Sequence, residues 1–348
     1  MRAMVVRRFG PPDVFEWREA PDPQPGPDDV LIRVKCVGIN FADLLQRMGL
    51  YPGTPRPPFI PGMEVAGMVE SVPSSHPHLA PGIQKGSRVA ALASFGAYAE
   101  RVAVPAEHVF GVPEGVPLED AAAIPVNYLT AYHAMFHMGN LQPGDRILIH
   151  GAAGGVGIAA VQLARARQLL IFGTAGPSKQ DLLRQIGVDH PIDYTREDFV
   201  GAVRRVAADG IEMVMDPIGG KSFARSYQCL GPTGRLVVYG FSAAAGPEGA
   251  SRTSPSSLWR GLRALAQMPR FNPLRLMRQN VAVIGVHLGR MKGKEALLGR
   301  QLEEIFRMYA AGQVKPVIGK TFPLEAAAEA HRFIHARQNI GKVVLKVA

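Results

Sequence analysis

Short apolar runs rich in β-branched residues fill the first third of the chain, and glycine- and proline-containing turns separate them. Ala3–Arg7, Val30–Ile39, Gly62–Val72, Ser87–Leu92 and Gly96–Pro105 read as strands. PGPDD, YPGTPRPP, PGIQKG and VPEGVP read as the turns between them. The pattern predicts a mostly β unit over residues 1–125. From Leu118 the texture changes. Leu118–Asn140 is alanine-rich and helical in pattern, with a break at Pro125. After it, apolar strands alternate with short helices: strands Arg146–Gly151, Leu169–Thr174, Asp189–Tyr194, Ile211–Gly219 and Arg235–Gly240, with helices after the first glycine turn and at Lys179–Gly187, Asp198–Ala207 and Ser222–Leu230. That alternation is the signature of a parallel sheet covered on both faces, a doubly wound α/β domain over residues 126–290. A loop and a basic amphipathic helix, LWRGLRALAQM, interrupt the rhythm before the strand Val281–Leu288. The closing block, residues 291–348, returns to the texture of the first unit and is expected to fold back onto it. The expected architecture is therefore an α/β domain inserted in a split β domain.

Composition narrows the chemistry. The 348 residues suffice for two ordinary domains. Two cysteines, Cys36 and Cys229, cannot make a four-thiolate zinc site or a disulfide framework, and a reducing compartment fits. The N-terminus has no apolar run followed by a cleavage site, so no cleaved leader is expected. No run approaches the roughly 18–20 apolar residues of a membrane span. The formal charge of +10 is unevenly placed: residues 249–294 hold nine Lys and Arg and no acid. Without a nucleic-acid-binding fold or base-stacking aromatics, this stretch points to a solvated basic face, an anionic membrane or an acidic partner rather than to nucleic acid.

The strongest motif is His150-Gly151-Ala152-Ala153-Gly154-Gly155-Val156-Gly157, between an apolar strand and a helix. In dinucleotide register it runs Ala152-x-Gly154-Gly155-x-Gly157, with alanine at the first glycine position. Gly154 would let the backbone approach a pyrophosphate, and Gly157 would let the helix pack closely. The strand that follows ends in Phe172-Gly173-Thr174-Ala175-Gly176, without the carboxylate that would bind an NAD ribose. Lys179 and Tyr194 lie nearby, which favours a 2′-phosphate and NADP(H) over NAD(H). The histidine pairs His76/His78, His133/His137 and His331/His335 lack the partners of a metal site. No G-x-S-x-G elbow is present for hydrolysis. Hydride transfer is then the economical chemistry. Asn40, Asp43, Tyr51, Asn127 and Thr130 are candidate polar groups for it, each as readily structural as catalytic.

Gly38-Ile39-Asn40-Phe41-Ala42-Asp43, Pro61-Gly62-Met63-Glu64-Val65-Ala66-Gly67, Asn127-Tyr128-Leu129-Thr130-Ala131-Tyr132-His133, the glycine turn and Asn339-Ile340-Gly341-Lys342-Val343-Val344-Leu345 occur in this order. With them the chain resembles the zinc-free quinone oxidoreductase branch of the medium-chain dehydrogenase/reductase superfamily. Phe172-Gly173-Thr174-Ala175, the long loop after Tyr239-Gly240 and Phe271-Asn272-Pro273-Leu274-Arg275-Leu276 are similar to its vesicle amine transport protein group. The resemblance implies a Rossmann-type domain inserted in a GroES-like catalytic domain, and NADPH-dependent reduction of quinones or α,β-unsaturated carbonyls. It implies no metal, because Asn40, Met63 and Asn127 stand where zinc relatives carry ligands. It places Asn40, Tyr51 and Asn127 beside the nicotinamide, and Thr130, Ala152, Gly154, Gly155, Val156, Gly157, Thr174, Lys179, Tyr194 and Gly240 around the cofactor. It further implies a cytoplasmic homodimer joined at strand Val281–Leu288. The alternative is a nucleotide-binding protein acting mainly through membrane or partner contact at residues 249–294.

Overall fold

The computed structural model describes residues 1–73, 79–246 and 255–348. Along the chain run β1 (Arg2–Val6), β2 (Phe15–Glu19), β3 (Asp29–Ile39), α1 (Phe41–Met48), β4 (Glu64–Ser71), β5 (Arg88–Leu92), β6 (Arg101–Pro105) and β7 (Val109–Gly111). Helices α2 (Leu118–Ala123) and α3 (Pro125–Tyr132) follow, and α3 passes into a π-helical turn over His133–Met138. Then come β8 (Arg146–His150), α4 (Gly155–Ala166), β9 (Leu170–Ala175), α5 (Gln180–Gln185), β10 (His190–Asp193), α6 (Phe199–Val206), β11 (Ile211–Asp216), α7 (Lys221–Gln228) and β12 (Leu230–Val238). The last elements are α8 (Pro255–Ala266), α9 (Pro273–Gln279), β13 (Ala282–Gly285), α10 (Glu295–Ala310), β14 (Ile318–Pro323), α11 (Ala327–His335) and β15 (Lys342–Lys346).

Two large sheets carry the architecture. The first is six-stranded, in the order β10-β9-β8-β11-β12-β13, and its pairings are parallel. The sheet order reverses at β8 and β11, so the glycine turn leaving β8 opens at the crevice where such sheets bind ligands. The second sheet runs β14-β15-β3-β4-β5-β7, with β6 also on β3. Its pairing of β15 with β3 is antiparallel and joins the two ends of the chain, Val343 facing Ile39 and Leu345 facing Val37. This is a Rossmann-type domain set into a GroES-like β domain.

The periodicity missed four elements. β2 reads FEWRE and is exposed on alternate residues, too polar to stand out beside the apolar strands. β7 is only three residues long. α1 is stopped by Gly49 in the left-handed region, and its polar residues Asp43, Gln46 and Arg47 are buried, so its amphipathic signal is blurred. α9 is short and buries no residue. Conversely, the strand expected from Gly96 begins only at Arg101.

Four segments meet at one buried ion pair. Lys342, at the start of β15, is 3% exposed, and Glu64, at the start of β4, is fully buried. The two side chains pair directly. Lys342 Nζ also donates to Asn40 Oδ1 at 2.7 Å, Asn40 Nδ2 donates to Glu64 Oε1 at 2.7 Å, and the Val126 backbone N–H donates to Glu64 Oε2 at 2.8 Å. Both charges are thus hydrogen-bonded as well as paired, which offsets the cost of taking them out of water. Gly38 lies against this cluster, where a Cβ would press on Ala122 O, Glu64 and Lys342. Lys342→Met leaves Glu64 charged and alone, and is expected to cost about 3–5 kcal/mol in urea unfolding at neutral pH. The double variant Lys342→Met/Glu64→Gln should recover part of that loss.

Candidate active site

A cleft of about 2420 Å³ opens between the two sheets. Its floor is the glycine turn. Gly151, in the left-handed region, closes the turn, and Gly154 N–H bonds back to Gly151 O at 2.9 Å. At the start of α4 the N–H groups of Gly155, Val156 and Gly157 have no partner within the helix, and all three residues line the cleft. Two glycines here are dictated by neighbours. A Cβ on Gly155 would run into the Asn127 amide, and one on Gly157 into Gly151 O and Ala152. The cradle therefore fits a dinucleotide pyrophosphate. Ala152 is the exception among the residues expected around the cofactor. It is fully buried beneath the turn, in the core cluster of the cofactor domain, and its neighbour Ala153 reaches the cleft wall instead.

The other expected residues line this one cleft: Asn40, Tyr51, Asn127, Thr130, Thr174, Lys179, Tyr194 and Gly240. Thr174 ends β9 and is tied down, its Oγ1 3.0 Å from His150 Nδ1 and accepting from Gly151 N at 3.3 Å. His150 continues into a buried polar chain through Ser226 to Asp216. Burial lowers the His150 pKa, so the ring is neutral and acts as a hydrogen-bond link. No acid stands at the end of β9. Lys179 Nζ donates to Arg337 O at 2.9 Å and Asn339 O at 2.6 Å, which leaves one of its three donors for a ligand. Burial, with Arg337 beside it, lowers its pKa. Arg337 itself reaches the Tyr194 hydroxyl at 3.4 Å and lines the cleft. Sequence reasoning missed Arg337, because only the fold brings the α11–β15 link against β9 and β10.

At the other end, Asn40 caps α1. The Asp43 carboxylate accepts from the Asn40 backbone N–H at 2.8 Å, and burial pushes the Asp43 carboxyl up to about 7. The Asn40 amide is held by Lys342 and Glu64 as described, so its orientation is fixed before anything binds. Glu64 belongs to the Pro61–Gly67 motif and Lys342 to the Asn339–Leu345 motif, and a spacing of 278 residues hides the pair in the sequence. Asn127 is buried against Gly155, and among the described residues its amide makes no hydrogen bond, which leaves it free to meet a ligand. Tyr51 sits 3.3 Å from His287 Nε2 across the cleft mouth, and burial, then the Asp43 charge, raises its pKa. Its hydroxyl is therefore a protonated donor at neutral pH.

The histidine pairs are accounted for differently. His133 and His137 stack at 4.9 Å on the π-helical turn, and His133 bonds Gln301 at 3.2 Å. His331 is buried on the Tyr98 hydroxyl at 2.9 Å, and His335 bonds Gly246 O. His76 and His78 lie outside the described residues. Among the described residues, Glu107, His108 and Glu295 gather closely enough for an ion, and they do not line the cleft.

Comparison with known proteins agrees with this geometry. The alcohol dehydrogenase GroES-like domain family matches residues 26–114, and the zinc-binding dehydrogenase family matches residues 186–345. The synaptic vesicle membrane protein VAT-1 homolog of Rattus norvegicus is 39% identical over 99% of this chain and 84% of its own length. The Homo sapiens quinone oxidoreductase is 32% identical over 99% of this chain and 97% of its own. Among solved structures, the Escherichia coli quinone oxidoreductase complexed with NADPH superposes with a TM-score of 0.84 at 27% identity, covering 99% of this chain and 100% of that one. Mycobacterial Rv1454c complexed with NADPH gives 0.85 at 30% identity, covering 99% of this chain and 100% of that one. With the glycine cradle present and Asn40, Met63 and Asn127 in place of zinc ligands, the chain belongs to the VAT-1/quinone oxidoreductase branch of the zinc-independent medium-chain dehydrogenase/reductase superfamily.

Proposed function

We propose that the chain is an NADPH-dependent, zinc-independent reductase of quinones or related α,β-unsaturated carbonyl compounds. The observation that carries this reading is the one cleft that joins a glycine cradle, a cationic cluster with no acid at the end of β9, and the Asn40 and Asn127 amides. When bound, NADPH supplies the hydride from its nicotinamide ring. The α4 N-terminus and the turn hold the pyrophosphate through backbone N–H groups. Lys179, Tyr194 and Arg337 meet the ribose 2′-phosphate, where an acid would repel it. Asn40, Asn127 and Thr130 line the ring's side of the cleft. The Tyr51 hydroxyl donates to the acceptor oxygen as negative charge develops there, and His287 holds that hydroxyl in place. The domain division we propose, 1–125 with 291–348 for the catalytic part and 126–290 for the cofactor part, is supported by the membership of the two sheets. A homodimer joined at β13, an edge strand, is part of the same proposal.

A second reading concerns location. Successive helices α8 and α9 expose Trp259, Leu262, Leu265, Leu274 and Met277 among the exposed Arg263, Arg275 and Arg278. Among the described residues no helix is long and apolar enough to cross a membrane. We propose a cytoplasmic protein that touches an anionic membrane peripherally through this face, in line with the vesicle-membrane names of its relatives.

NADPH oxidation against a panel of quinones and enones tests the first reading. Turnover on some acceptor is expected, and saturable NADPH binding with no turnover on any of them would sink it. Arg337→Gln should raise KM for NADPH about tenfold and leave KM for NADH nearly unchanged, since only NADPH carries the 2′-phosphate. Gly155→Ala should weaken NADPH binding by about tenfold or more in a fluorescence titration, because the new methyl displaces Asn127. Co-sedimentation tests the second reading: binding to phosphatidylserine vesicles is expected at low salt and should fall at high salt. Failure to bind at low salt argues against the membrane face.

A further inference from the structure

The half of the cleft beyond Tyr51 has an electrostatic character that neutral quinones do not need. Arg290, Lys294 and Arg300 line it, together with His137 and His287. Arg290 is close enough to Tyr51 to lower that residue's pKa against the effect of burial. Gly289, its neighbour, packs beside the Tyr51 hydroxyl and the His287 ring. Lys294 and Arg300 come from the start and middle of α10, and Gln301, next to Arg300, bonds His133 on the cleft wall. These cations therefore come from two separate elements and line the same cleft.

Among the described residues, no carboxylate accompanies these cations in that half of the cleft. Among the described residues that line the cleft, the only carboxylate is Glu197, which sits near Tyr194 in the other half and pairs with Arg205 at 2.6 Å. Glu295 is adjacent in sequence to Lys294, but it does not line the cleft. It accepts from Gly293 N at 2.7 Å and lies with Glu107 and His108. Arg290, Lys294 and Arg300 are exposed side chains with no cleft-lining carboxylate beside them among the described residues, and apolar residues such as Leu50, Met291 and Leu297 line the same cleft, where low-polarity walls strengthen a charge's reach. The phosphates of the cofactor have their own partners in the glycine turn and the Lys179 cluster, so they do not explain these charges.

We infer that the natural acceptor carries an anionic group, a carboxylate, sulfonate or phosphate, on an apolar body. Its reducible carbonyl lies at Asn40 and Asn127, and the anion faces Arg290, Lys294 and Arg300. This inference rests on the reductase reading and narrows its substrate class. Arg290 and Arg300 would then be specificity-determining residues, acting on the acceptor's KM and not on the hydride step.

The test compares 1,4-naphthoquinone with 1,4-naphthoquinone-2-sulfonate at saturating NADPH. The two acceptors differ in intrinsic reactivity, so the quantity read is the ratio of their kcat/KM values and how it responds to salt and to substitution. The ratio is expected to favour the sulfonate at low ionic strength, and to fall about three- to tenfold at high salt. It should fall comparably in Arg290→Gln/Arg300→Gln at low salt, through the sulfonate's KM. Because a ratio is read, a general loss of folded enzyme cancels. A ratio that changes with neither salt nor the substitutions overturns the inference and leaves the reductase reading standing. Absence of NADPH oxidation with both acceptors overturns the reductase reading and this inference with it.

Discussion

A lysine ammonium and a glutamate carboxylate, both withdrawn from water, hold the catalytic half of this protein together. Leaving either of them unpaired at such depth would cost several kcal/mol, so the geometry around Lys342 and Glu64 is strongly constrained. What they constrain is the site. Glu64 fixes the Asn40 amide through Oε1 and the start of α3 through Oε2. Asn127 and Thr130 lie within α3 and are carried into place with it. One pair thus sets the relative positions of the end of β3, the start of β4, the start of β15 and the helix that lines the cleft.

A second set of ties runs from the same C-terminal segment to the cofactor domain. The Gly341 N–H donates to Ala153 O at 2.9 Å, and Gly154 and Gly341 form an isolated bridge. Lys179 holds the carbonyls of Arg337 and Asn339. The link between α11 and β15 is therefore bound on one side to the glycine turn and the β9 end, and on the other to Glu64 and Asn40. Separating the two domains at this link would break these short contacts.

Charge follows the same logic of placement. In the sequence, the basic stretch 249–294 is one block, and the fold divides it. Arg263, Arg275 and Arg278 lie outward on α8 and α9 among exposed apolar side chains, whereas Arg290 and Lys294, also exposed, line the cleft. Arg252 lies outside the described residues. Identical residue types therefore face a surface in one case and a ligand space in the other, and nothing in their spacing separates the two.

The glycine turn, the alternation of strands and helices and the missing acid after β9 were legible in the sequence because each depends on neighbours in the chain. A strand's apolar run, a turn's need for glycine and a helix start are local, and tertiary packing reinforced them. Where local signals were weak, the polar ribbon strand β2 and the three-residue β7 escaped, and Ala152 was assigned to the cofactor although its methyl turns into the core. Distance in sequence hid the rest. Lys342 meets Glu64 and Asn40, Arg337 meets Tyr194, and His287 meets Tyr51 only after β15 pairs with β3 and the cofactor domain closes on the first. The sequence by itself determined most of the elements and the class of cofactor, since these rest on backbone preference and nearest-neighbour chemistry. Only the tertiary structure decided which charges are buried and paired and which face a ligand, because desolvation and pairing depend on groups brought together across hundreds of residues.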